Sequence, residues 1–162
     1  MKLDAIDLRI LDVIQRDGRI TKLALAEQVG LSPTPCWMRL RKLEKAGVIV
    51  GYHAAVAVRR LAPVASVMME VTLGNHSQAD FDKFERAIMA IPEVTACWSV
   101  GGGVDYILKI MTSDIDAYQR LVDSLLDREL GIDRYFTYIV TKTVKEKTAL
   151  PLASLLGGDQ PT

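Results

Sequence analysis

Metal-binding and disulfide chemistry are the first things this sequence is short of. It carries two cysteines and two histidines in 162 residues. Cys36 and Cys97 stand in unlike contexts without CxxC spacing, so neither a disulfide framework nor a zinc site is indicated. His53 and His76 are too few to complete a His/Cys metal set. No apolar run approaches the length of a membrane span. The N-terminus, Met1-Lys2-Leu3-Asp4, lacks the apolar core of a secretory signal. A cytoplasmic chain with no membrane contact is therefore expected. Net charge is missing too, since 20 Lys/Arg balance 20 Asp/Glu.

What is present is apolar surface and an uneven distribution of charge. At 49% apolar residues the chain can build a real core, as one large domain or two small ones. Residues 1–60 hold eleven Lys/Arg against six Asp/Glu, and residues 61–162 hold nine against fourteen. A basic first part joined to an acidic second part suggests that only the first meets a polyanion.

The most informative stretch runs from Leu31 to Gly47 and has both ends of a helix written into it. Ser32 is a good N-cap, Pro33 suits the first helical position, and Gly47 can supply the left-handed residue that stops the helix. Between them Cys36, Leu40 and Leu43 recur at i, i+4, i+7 and form one apolar face. Thr34, Met38, Arg41 and Lys45 fall opposite, with Pro35, Arg39 and Lys42 beside them. Such a helix fits a major groove, although a solvated amphipathic helix would carry the same pattern. Upstream, residues 4–17 read as a helix capped by Asp4, with Ile6, Ile10, Leu11 and Ile14 as its stripe. Thr21 caps a second short helix closed by Gly30. Two helices joined by so short a turn are the helix-turn-helix signature.

After Gly47 the period changes. Val48 to Val58 is β-rich and reads as one or two strands, part wing and part linker. Residues 64–146 look like an approximate duplication: strand 65–73, helix 77–90, strand 94–100, then strand 104–111, helix 114–126, strand 132–144. This βαββαβ order is the ferredoxin-like arrangement, an antiparallel sheet with both helices on one face. The expected fold class is therefore α+β: a winged helix-turn-helix with linker strand over residues 1–60, a ferredoxin-like domain over 61–150 and a flexible tail over 151–162. Met68, Val71, Trp98, Ile107, Met111, Phe136 and Tyr138 exceed what two helices can hide, which predicts self-association. The stretch Val100-Gly101-Gly102-Gly103-Val104-Asp105-Tyr106 reads as a glycine-rich hairpin turn.

Several phrases together resemble one family. Leu3-Asp4 with Asp7 and Ile10-Leu11, Leu31-Ser32-Pro33-Thr34-Pro35-Cys36, and Leu43-Glu44-Lys45-Ala46-Gly47-Val48-Ile49 with Gly51-Tyr52 resemble the N-terminal domain of the leucine-responsive (Lrp/AsnC) transcription regulators. Gly102, Asp105 and Tyr106 resemble the turn between the middle strands of that family's regulatory domain. Asp17 to Thr21 and Ile132 to Tyr135 are loosely similar to family regulators linked to ectoine degradation, so an amino acid or an ectoine-pathway derivative fits as effector.

The resemblance implies a homodimer, assembling to an octamer, that binds a roughly palindromic site in double-stranded DNA and responds to an amino acid. For DNA it points to Ser32, Thr34 and Trp37 at the helix front, to Arg39, Arg41 and Lys42 beyond them, and to Lys22 at a flanking phosphate. Met38 stands where a polar residue is expected and could read a thymine methyl, while Trp37, at the edge of the apolar face, is also a packing residue. For the effector it points to Gly101, Gly102, Gly103, Asp105 and Tyr106. Bare glycine amides can receive a carboxylate and Asp105 an ammonium. Thr141 or Thr143 from a neighbouring subunit would complete the pocket. No metal or other cofactor is implied. An enzyme is the first rival reading, but no nucleophile–base pair, metal set or phosphate loop is present. An effector-binding assembly module without DNA binding is the second, and the charge asymmetry argues against it.

Overall fold

The computed structural model describes residues 3–146 and 149–156. The chain divides into two compact units, one running to Ala55 and taking up the chain again from Lys145, the other spanning Val56–Val144.

The first unit is a three-helix core. Helix α1 (Ala5–Arg16) starts at a capping box: the Asp4 carboxylate accepts from the amides of Ile6 and Asp7, and Asp7 reaches back to the Asp4 amide. Thr21 caps α2 (Lys22–Val29) through the Ala24 amide, and Gly30 ends it at φ +72°. Helix α3 (Pro33–Lys45) follows after two residues and stops at Gly47, φ +70°. The predicted face is the buried one: Cys36, Leu40 and Leu43 meet Ile10, Leu11, Leu25, Ala26 and Val29.

Two expectations for this unit differ from the structure. Val48 to Ala57 forms no strand. Apart from Ile49, which packs against the first core, it runs exposed, with Val50 93% accessible, into a single 3-10 turn at Val58–Arg60. β-prone sequence becomes a strand only where a neighbour supplies the ladder, and one chain supplies none here. The tail also departs from its expected looseness. Leu152–Leu155 forms a short helix whose Leu152 packs against the first core. Leu150 exchanges two hydrogen bonds with the side chain of Gln15. The rest of the expected tail, 157–162, lies outside the described residues.

The second unit contains β1 (Ala65–Leu73), α4 (Gln78–Met89), β2 (Val94–Ser99), β3 (Tyr106–Thr112), α5 (Ile115–Asp127) and β4 (Ile132–Ile139), with sheet order β2-β3-β1-β4 and every pairing antiparallel. Ser77 and Asp114 cap the helices as expected, and Gly131 turns into β4 at φ +76°. Val67, Met69, Val71 and Leu73 of β1 join Tyr106, Leu108 and Ile110 of β3 beneath Phe84, Ile88, Tyr118 and Val122. The alternate residues form the opposite face. Register places Met68, Glu70, Ile107, Trp98, Phe136 and Tyr138 together there. Val71, grouped by the sequence reading with the surplus apolar residues, belongs to the helix-covered face and is 1% accessible. Trp98, Phe136 and Tyr138 are about half exposed on the uncovered one. Strand β4 ends early because its partner does. Its last bond joins the Val140 amide to Ser66, one residue into β1, and among the described residues no ladder partner is recorded for 141–144.

Candidate nucleic-acid interface and effector loop

Thr34, Met38, Arg41, Lys42 and Lys45 are all exposed along α3. Ser32 sits at the N-cap but its hydroxyl makes no capping bond, so that group is not consumed by the helix. Met38 is 67% accessible, an apolar residue held in water by a helix whose other side is full. The front of α3 thus offers a hydroxyl pair, one thioether and a run of cations in a single line, which is suited to base edges and phosphates.

Two of the cations organise around Trp37. The Lys22 ammonium lies 3.6 Å from the ring centroid and the Arg41 guanidinium carbon 5.8 Å from it. Trp37 itself is half-buried against the first core, which fits its packing role better than base contact. Arg41 also reaches Glu44 at 3.5 Å, and Glu44 accepts from the Tyr52 hydroxyl at 2.9 Å. Burial first, and the Glu44 carboxylate second, push the Tyr52 hydroxyl up to about 12. Tyr52 lies over Gly18, where an added Cβ would meet its ring carbon at 3.1 Å. Gly18 is therefore bare because Tyr52 folds back over it.

Arg39 stands apart from the other cations expected at DNA. Its guanidinium is drawn away from the outward line to both acids of the α1 capping box, 2.6 Å from Asp4 and 2.8 Å from Asp7. The Asp7 amide, and then Arg39, hold the Asp4 carboxyl below its ordinary value. Arg39 ties α3 to the start of α1. No local pattern could have announced it, because its partners lie more than thirty positions earlier.

In the second unit, Gly101, Gly102 and Gly103 are exposed, and a Cβ at any of them would meet nothing within 4 Å. Only Gly102 needs to be glycine for its backbone, at φ +144°. The Asp105 amide bonds the Val71 carbonyl and its carbonyl receives the Val100 amide, so the loop base is pinned on both sides. The Asp105 carboxylate turns inward. Its Oδ2 accepts the Leu73 amide at 2.8 Å, and His76 Nε2 lies 3.1 and 3.2 Å from its two oxygens. His76 had no motif to single it out, and only the fold brings it here.

Tyr106 stands apart in the same way. Strand alternation sends it to the helix face, 2% accessible, with its ring 4.6 Å from that of Phe84. Its hydroxyl donates to Glu85 at 2.8 Å, and burial, then Glu85, push it well above the ordinary tyrosine value. In this position it supports the start of β3 from within the core. Thr141 and Thr143 are exposed beyond the far end of β4. Val140 is anchored at Ser66 and Asp105 at Val71, points about 17 Å apart at the usual rise of a strand. Within one chain the threonines and the glycine loop belong to opposite ends of the sheet.

Comparison with known proteins gives these features a context. Residues 3–50 match a family model described as a winged helix-turn-helix DNA-binding domain. Residues 66–150 match one described as the Lrp/AsnC ligand binding domain. The transcriptional regulatory protein DoeX of Halomonas elongata is 52% identical over 149 residues, covering 92% of this chain and 94% of that protein. The leucine-responsive regulatory protein of Escherichia coli is 39% identical over 148 residues, covering 91% and 90%. A crystal structure of a Neisseria meningitidis transcriptional regulator in complex with L-Met superposes with a TM-score of 0.89 at 32% identity, covering 95% of this chain and 99% of that one. These relatives are named as regulators, this chain joins a DNA-binding match to a ligand-binding one, and it belongs to the Lrp/AsnC family of transcription regulators.

Proposed function

We propose that the protein acts in the cytoplasm as a homodimer that assembles further to an octamer, reads a roughly palindromic DNA site with α3, and is controlled by an amino acid at the Gly101–Gly103 loop. The observation that carries the DNA part is the outward line of α3, where Ser32, Thr34, Met38, Arg41 and Lys42 are exposed while Cys36, Leu40 and Leu43 anchor the other side. Lys22 flanks this line and meets a phosphate. One such helix makes few base contacts. Pairing two of them demands half-sites about one helical turn, or a multiple of it, apart.

Dimerisation buries the uncovered sheet face around Trp98, Phe136 and Tyr138, which would otherwise leave large apolar rings in water. The effector reading is supported by the open glycine loop and by the family's ligand-binding domain, and the Neisseria relative's complex with L-Met makes an amino acid the natural class. Because the loop and the threonines lie at opposite ends of one sheet, a neighbouring subunit must bring Thr141 or Thr143 to it. Ligand binding is then linked to assembly, and through assembly to the spacing of the α3 helices on DNA.

Genomic footprinting with and without single amino acids tests the reading. The expected result is protection over paired, dyad-related half-sites, lost or re-spaced when the effector is present. Protection without dyad symmetry, or a pattern that no amino acid alters while sedimentation also stays constant, would refute it.

A further inference from the structure

The loop's carboxylate is already occupied from within the protein. Asp105 is only 20% exposed at its side chain and receives the Leu73 amide on Oδ2. The His76 imidazole stands in front of both oxygens and is itself 57% exposed. The Phe81 ring, 5.9 Å from the imidazole, backs it from α4. Of the pair, the imidazole is the more open to solvent and the carboxylate the more covered.

The hydrogen bond to Asp105 also decides what His76 offers. When Nε2–H donates to a carboxylate, the neutral ring turns an unshared lone pair on Nδ1 away from it. The same device, a carboxylate that fixes the orientation and tautomer of an imidazole, aims histidines at metal ions elsewhere in protein chemistry. Here the imidazole is held on Asp105, two residues along the chain from Gly103, whose exposed loop offers amides that can take a carboxylate. A lone-pair acceptor backed by an anion is suited to an ammonium group.

We propose that His76, and not Asp105, receives the ammonium of the amino-acid effector through Nδ1, with Asp105 as the positioning residue that aims the ring and adds negative charge behind it. The inference rests on the effector reading above and assigns the chemistry within that site. The effector is thereby required to carry a free primary amine next to its carboxylate.

Calorimetry on the full-length protein separates the two readings. The probes are L-leucine and L-methionine, each paired with the same acid lacking its amine, 4-methylpentanoate and 4-(methylsulfanyl)butanoate. Wild-type protein is expected to favour the amino acid of each pair. His76→Ala should weaken amino-acid binding about tenfold or more, the scale of a lost hydrogen bond to a charged group, and leave the deaminated acids unchanged. His76→Gln, whose amide oxygen can accept, should recover part of the loss. Asp105→Asn should weaken amino-acid binding in the wild-type background and add nothing once His76 is alanine. Equal loss for both members of a pair, or no loss with His76→Ala, would overturn the assignment. Should neither probe bind the wild type, the same pairs are run for the other common amino acids, and a wild type that binds none of them would overturn the effector reading itself.

Discussion

Replacing Tyr106 by phenylalanine asks whether the one aromatic of the glycine loop phrase serves the ligand or the fold. The substitution removes one hydroxyl and keeps the ring on Phe84. The lost bond goes to Glu85, an exposed carboxylate that regains water when its partner leaves. The net cost should be about 1 kcal/mol, the usual value for a bond whose other member is rehydrated. In a domain of roughly 60–100 residues that corresponds to a fall in melting temperature of about 4–8 °C. Truncation to alanine would instead leave a cavity beneath β1 and β3 and cost about 3–5 kcal/mol. Urea unfolding gives the stability, and calorimetry with L-leucine gives the affinity. The expected outcome for Tyr106→Phe is a lower midpoint with unchanged ligand binding. A variant as stable as the parent that has lost its ligand would show that the hydroxyl reaches the effector, and the assignment of Tyr106 to the core would be wrong.

Other outcomes follow from the same structure. Arg39→Gln should lower the stability of the DNA-binding unit, and any change in DNA affinity should vanish when the temperature is dropped to restore folding; Arg41→Ala should weaken DNA binding at every temperature and reduce the salt dependence by about one unit of slope. The Asp4 carboxyl is held low by the Asp7 amide and by Arg39, so its contribution is complete above the ordinary carboxylate value and disappears as pH falls through the folded value. Asp4→Asn keeps an acceptor at the cap, and its stability between pH 7 and pH 3 should decline less than that of the parent. Phe136→Lys should convert the assembly to monomers in analytical ultracentrifugation, since it places a charge among the half-exposed rings of the uncovered sheet face.

Local chemistry made much of the fold legible. Pro33 and Gly47 mark the ends of α3, and β1 lies where its alternation of apolar residues puts it, because each of these signals acts within a few residues. The misreadings have a different origin. Arg39 looked like a member of the outward face until two acids from another helix were brought to it. Val71 looked surplus, although alternation along β1 assigns it to the covered side. Val48 to Ala57 carries strand-forming residues, but a strand needs a neighbour and sequence does not state whether one is present. The site was legible to the same degree. The glycines announced a loop, while the meeting of His76 with Asp105 depends on how β1 and β3 pair.

The return of the chain to its starting unit sets an order on synthesis. Leu150 and Leu152 find their places beside Gln15 and the core next to α1 only after the whole sheet has been made. A nascent chain on the ribosome can form α1 to α3 early, yet it holds them without that last apolar cover until residues 150–152 have been made. The DNA reader is thus finished last, after the part that senses the ligand.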